Sequence, residues 1–195
     1  MSNVPPFLAR LLAVAALAMP MAFFGPAALA DTGGTAGSQA AAMSRTSFVP
    51  AEPLQTADEL LVVKSERRLY LLRNGERFRS YRIALGLSPS GHKEREGDYR
   101  TPEGRYRIYR RNPESEFFLS LGISYPDEDD LRRAKQNGWK PGGAIMIHGL
   151  PNVPKRSMNY YRTADWTNGC IALSNEDMLE VWLLTRTNTP IEIRP

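Results

Sequence analysis

Thiols and imidazoles are scarce in this chain, whose 195 residues hold one cysteine, Cys170, and two histidines, His92 and His148. An internal disulfide is thereby excluded. A zinc centre is disfavoured too, because structural sites typically take four Cys or His ligands and catalytic ones three His, Cys or acid ligands, and no such spacing is present. No Gly-rich phosphate loop with its lysine appears, no repeat recurs and no nucleic-acid recognition motif is found. Charge of one sign is also lacking: the formal net charge is only +4. Basic residues do gather at Lys93, Arg95, Arg100, Arg105, Arg107, Arg110 and Arg111. That pattern suits an anionic polymer, and equally a solvated strand face whose stems cover apolar neighbours.

The chain divides into three parts. In residues 1–30, Arg10 precedes an apolar segment, and Ala28-Leu29-Ala30 before Asp31 fits a small-x-small cleavage pattern, so these residues read as a secretory signal peptide. Pro20, Gly25 and Pro26 interrupt the apolar segment and make an uncleaved membrane anchor the weaker reading. Export to the periplasm or cell envelope follows, with no stable membrane span after cleavage. Residues 31–57 are rich in Gly, Ala, Ser and Thr and read as a flexible linker. Residues 58–195 have the length of one ordinary domain.

Within that domain β-strands dominate. Runs at 60–63, 68–73 and 78–85 are β-rich, and Asn74-Gly75 is a hairpin signal. Residues 105–109 alternate as a strand, 117–123 form another, and 191–193 a last one. Helices are expected at 127–137, with Gly138 as a stop, and at 175–186, opened by the capping-box-like Ser174-Asn175-Glu176-Asp177.

The chemistry concentrates between residues 144 and 170. Apolar residues 144–147 deliver His148-Gly149, as a rigid strand end presents a catalytic group at a cleft. Downstream, Thr167-Asn168-Gly169-Cys170 lies just before the second helix, a setting that lowers a thiol's pKa. Gly169 lets the backbone bend before the thiol, and the amides of Asn168, Gly169 and Cys170 can converge as an oxyanion hole. The blander alternatives are an inert buried thiol and a core histidine bonded to a backbone carbonyl. His92, in Ser90-Gly91-His92-Lys93, reads as a solvated loop histidine. Tyr161 and Trp166 lie between the two candidates and, with Thr167, can wall a substrate groove, although aromatic residues usually pack in cores.

The run from Gly143 through His148-Gly149 to Thr167-Asn168-Gly169-Cys170 resembles the signature of the L,D-transpeptidase catalytic domain (YkuD) family. Gly97-Asp98-Tyr99-Arg100-Thr101-Pro102-Glu103-Gly104 resembles that family's turn before a strand, and the likeness spans about residues 58–195. The resemblance implies a mainly β fold with a few helices, a β-sandwich with a helix following the nucleophile. It implies an exported cysteine acyltransferase acting on peptidoglycan peptide stems through a thioester; that chemistry requires no metal or organic cofactor, and a monomer is expected. Cys170 is then the acylated nucleophile, His148 its base, and the Gly149 carbonyl the group that orients the imidazole. Two positions depart from the pattern. Asn168 stands where the family usually has histidine, and Ala172 where many members have arginine or asparagine. The stretch 165–172 is most similar to the YafK-like murein subgroup, which implies hydrolysis of crosslinks or of wall-attached lipoprotein links. The alternative is a non-catalytic cell-wall binding module that retains the fold.

Overall fold

Leu60, Leu61 and Val62 are consecutive and all buried, the mark of a strand covered on both faces. They form the centre of β1 (Glu59–Val63) in the computed structural model, which describes residues 54–195. The signal peptide and nearly all of the linker read from the sequence lie outside the described residues. β1 pairs antiparallel with β2 (Arg68–Arg73) and parallel with β8 (Pro190–Arg194), which buries Ile191 and Ile193. Asn74 and Gly75, with φ of 50° and 79°, make the tight two-residue turn into β3 (Glu76–Arg82), because both central residues of such a turn need positive φ.

β4 (Gly104–Ser115) joins the two halves of the sheet. Its first residues pair with β8, and the rest pair with β5 (Phe118–Ile123). β6 (Met146–His148) and β7 (Ile171–Ala172) complete the order β3-β2-β1-β8-β4-β5-β6-β7. The ends of this order meet. The Ala84 amide donates to the Ala172 carbonyl at 2.8 Å and the Ala172 amide to the Ala84 carbonyl at 2.9 Å. The core lies inside, where Leu60, Val62, Leu69 and Leu71 from one half meet Leu121, Ile123, Ile147 and Ile171 from the other.

Three helices accompany this mainly β architecture: α1 (Glu128–Gln136), α2 (Met158–Thr163) and α3 (Asn175–Leu184). α3 follows the Cys170 loop as expected. Ser174 caps it, accepting from the Asp177 amide at 3.1 Å, and Met178, Val181 and Leu184 anchor it in the core at about 1.5–3 kcal/mol each. Among the described residues no helix is long and apolar enough to cross a membrane.

β3 ends at Arg82 rather than at residue 85, and three further features differ from the sequence expectation. β4 runs past 109 to Ser115 despite Pro113, because its pairing with β5 is bulged on either side of Arg110–Asn112, and a bulge tolerates the missing amide. α2 was not expected; it is one short turn and a half, with Ser157 accepting from the Tyr160 amide and only Tyr161 buried, too little pattern to read from sequence. At the other end, Ala57 is buried and its amide donates to the Leu184 carbonyl at 2.8 Å, so the last linker residue is docked on the domain.

Candidate active site

β6 and β7 lie parallel, with Ile147 opposite Ile171 and His148 opposite Ala172. Ile147 and Ile171 point into the core, both fully buried. Side chains alternate along a strand, so Met146, His148, Cys170 and Ala172 share the other face. Cys170 is thus offset from His148 by one strand (~4.8 Å) and two residues (~6.6 Å), within reach of a thiol and an imidazole. At rest the thiol leans the other way, donating to the Ala144 carbonyl at 3.7 Å.

The loop bearing Cys170 is fixed by its own chain and by a neighbour. Thr167 Oγ1 donates to the Cys170 carbonyl at 2.8 Å and accepts from the Gly169 amide at 3.1 Å. The amides of Trp166 and Thr167 both reach the Leu85 carbonyl at 3.1 Å, and the Leu87 amide reaches the Thr167 carbonyl at 3.0 Å. Asp165 receives a fork of hydrogen bonds from Arg67 at 2.8–3.1 Å and also accepts the Leu85 amide at 2.9 Å. Gly169 has φ of 123°, and a Cβ there would lie 2.6 Å from the Arg100 carbonyl oxygen. Only glycine satisfies both the backbone angle and the close approach.

His148 is 3% exposed. Its Nδ1 donates to the Gly149 carbonyl at 2.7 Å, and since a carbonyl only accepts, the proton sits on Nδ1 and Nε2 is bare in the neutral ring. Phe117 packs on the imidazole with centroids 4.6 Å apart, and Trp166 meets it edge-on at 5.6 Å. Burial depresses the His148 pKa to about 4, with the Gly149 hydrogen bond opposing the shift. Burial likewise pushes the Cys170 thiol upward, against the Met146 amide and the positive charge of Lys93. At neutral pH both groups are therefore uncharged, a thiol and a free imidazole rather than an ion pair.

The sequence-predicted residues divide by environment. Asn168 is exposed and, with Lys93, Tyr99 and Gly143, lines a cleft of about 310 Å³ beside the Cys170 loop. The amides of Asn168 and Cys170 have no hydrogen-bond acceptor among the described residues, whereas the Gly169 amide is engaged by Thr167 and does not join them. Thr167 does not present a groove wall, whereas Tyr161, though little exposed, lines a groove with Leu150, Met158 and Ala172. Thr167 is 4% exposed with its hydroxyl committed to the loop, and Tyr161 is 8% exposed with its hydroxyl accepting from the Lys155 amide at 3.0 Å. Trp166 faces the imidazole, half-buried.

His92 lies in a loop as expected but is half-buried and held by fixed partners. Its Nδ1 accepts from the Glu103 amide at 3.0 Å, and its Nε2 faces Asp130 Oδ1 at 3.0 Å, while Tyr106 donates to the other carboxylate oxygen at 3.0 Å. Asp130 lies on α1, far along the chain, so the polar residues around His92 gave no sign of it. Phe117, which packs on the imidazole, and Asn175, whose Oδ1 accepts the Leu150 amide at 2.8 Å, are not legible from local pattern for the same reason. Asn175 carried a visible signal only as a helix start.

Fold and site together define a class: a closed, mainly β domain that presents a lone thiol and a buried neutral imidazole on adjacent parallel strands. The chain belongs to the L,D-transpeptidase catalytic domain family (YkuD), whose pattern it matches over residues 57–193. It is 29% identical over 128 residues to YafK of Escherichia coli (strain K12), a protein named provisionally as an L,D-transpeptidase; the match covers 62% of this chain and 44% of YafK. Its fold is similar to that of Pgp2 from Campylobacter jejuni, described as a helical cell shape determining protein, with a TM-score of 0.52 and 27% identity over 69% of this chain and 46% of Pgp2. This chain therefore spans less than half the length of either relative.

Proposed function

We propose that the domain is an exported cysteine acyl-transfer enzyme acting on peptidoglycan peptide stems. Family membership supports a peptidoglycan-modifying role. The observation that carries the chemistry is the His148 ring, held as its Nδ1–H tautomer with Nε2 bare, one strand from the single thiol. In the proposed cycle Cys170 turns from the Ala144 carbonyl, Nε2 of His148 takes the Sγ proton, and the sulfur attacks a stem amide carbon. The amides of Asn168 and Cys170 hold the tetrahedral oxyanion. The C–N bond breaks, the imidazolium returns its proton to the leaving amine, and a thioester remains on Cys170. An incoming amine or water then gives up a proton to His148 and releases the acyl group, restoring the thiol.

Water is the favoured acceptor in this reading. Positioning an amine is worth ~7–11 kcal/mol over an unpositioned competitor, and the residues here offer it little. Asn168 supplies no imidazole. Ala172 is buried against Ala84 and lines, with Leu150, Met158 and Tyr161, an open groove of about 310 Å³ in which charge comes from Arg82, Arg162, Glu176 and Asp177 and none from Ala172 itself. The proposed substrates are crosslinked stems or stems linked to a wall lipoprotein, and the likeness to Pgp2 supports a bearing on cell shape. The export signal supports action in the periplasm or envelope, and a monomer suffices because the proposed groups come from one chain.

The test is incubation of the purified protein with defined crosslinked and lipoprotein-linked muropeptides plus excess labelled D-amino acid, with products read by mass. Free stems, lost in Cys170→Ala, are expected. Predominant label incorporation would make the enzyme a transpeptidase. No turnover of any muropeptide, with Cys170 intact and unacylated, would make it a binding module.

A further inference from the structure

The peptide group between Gly149 and Leu150 is held from both ends. Its carbonyl accepts the Nδ1 proton of His148 at 2.7 Å, and its N–H donates to Oδ1 of Asn175 at 2.8 Å. A trans peptide points these two groups in opposite directions, so fixing one fixes the other. We propose that Asn175 is a positioning residue for His148, acting through this single peptide plane. The inference rests on His148 serving as the base.

Three observations favour positioning over simple loop fastening. The oxygen of Asn175 can approach only because residue 149 is glycine: a Cβ there would lie 2.6 Å from Asn175 Oδ1 and 3.0 Å from Cβ of Phe118. The acceptor is rigid, since Asn175 is the first residue of α3, whose Ser174 cap and buried Met178, Val181 and Leu184 set its place. The neighbouring backbone is clamped as well. The Gly149 amide donates to the Phe117 carbonyl at 3.0 Å, and the Leu173 amide to the His148 carbonyl at 2.9 Å. In this arrangement a hydrogen bond at the peptide N–H polarises its carbonyl and strengthens the bond to Nδ1. Losing it frees the peptide to rotate and lets the proton move to Nε2, where it blocks proton uptake from the thiol. The carboxamide thus takes the part of the third group that orients a base in a catalytic triad, relayed through backbone.

Tautomer populations of His148 are read by long-range ¹H–¹⁵N correlation of the imidazole in the full chain, with His148→Gln assigning the signals. Wild type is expected to show the Nδ1–H form alone. Asn175→Ala is expected to show a mixture with the Nε2–H form and at least tenfold slower acylation of Cys170 by a carbapenem. Asn175→Asp, which keeps an acceptor oxygen, is expected to restore both. If Asn175→Ala fails to fold, Asn175→Ser, whose side chain ends short of the Leu150 amide and suits a first helical turn, is expected to show the same mixture. A folded Asn175→Ala or Asn175→Ser with wild-type tautomer and acylation within twofold of wild type overturns the proposal. The tautomer is read without substrate, so this outcome is independent of the muropeptide assay.

Discussion

Phe117 and His148 pack ring against ring, centroids 4.6 Å apart and planes tilted by 46°. The contact helps remove the imidazole from water and favours its neutral form. A consequence for stability follows from linkage. The unfolded chain protonates His148 near its ordinary value of 6.5, the folded chain only near 4. Above 6.5 both states are neutral, and as pH falls through this window the unfolded state binds the proton first, so stability declines. The loss attributable to His148 reaches about 3 kcal/mol by the bottom of the window. Urea unfolding at several pH values, compared between wild type and His148→Gln, measures it. Equal pH slopes for the two proteins would contradict a buried neutral imidazole.

Cys170 should behave as an unactivated thiol in the free protein. Its alkylation by iodoacetamide is expected to rise with pH, with a midpoint above the ordinary cysteine value of about 8.5, because burial outweighs Lys93 and the Met146 amide. Lys93→Gln should move the midpoint higher still. Asp98, the partner of Lys93 at 2.7 Å, keeps the amides of Glu94, Arg95 and Arg100 as donors in that variant. A flat, fast rate across neutral pH would instead reveal a preformed thiolate and imidazolium pair.

Thr167 should act on the loop rather than on substrate. Thr167→Val deprives the buried Gly169 amide of its acceptor, at a cost of about 1–3 kcal/mol, and is expected to slow acylation, whereas Thr167→Ser should be near wild type. Thermal unfolding and carbapenem acylation monitored by mass check this. A substrate-contact role would instead raise KM without lowering stability.

Gly169→Ala should be among the most damaging changes near the site. It combines strained φ with a Cβ 2.6 Å from the Arg100 oxygen, and a destabilisation of about 1–3 kcal/mol is expected from the backbone conformation alone. Asn168→Ala, at an exposed position, should cost little stability and far less activity than Cys170→Ala, because only its amide is assigned a part. Denaturant midpoints and single-turnover acylation rates rank the three variants.

Local pattern determined much of this protein. Asn74-Gly75 specified its hairpin, Ser174 its helix cap, and the apolar residues before His148 its strand, because turn chemistry, capping and alternation act over a few residues. The scarcity of thiols and imidazoles reduced the candidate pair to Cys170 and His148, and the resemblance of the segments around them to the family signature pointed to the family. Tertiary structure decided what those residues are. Phe117 and Trp166 reach His148 from separate segments and enclose its ring, Asn175 accepts the Leu150 amide two residues further on, and the Asp130 carboxylate meets the half-buried loop residue His92. Thr167 and Tyr161 looked free in the chain and are engaged in the fold. Such partners are invisible to local pattern because burial, and with it the cost of an unpaired proton or charge, exists only once distant strands have closed around the site.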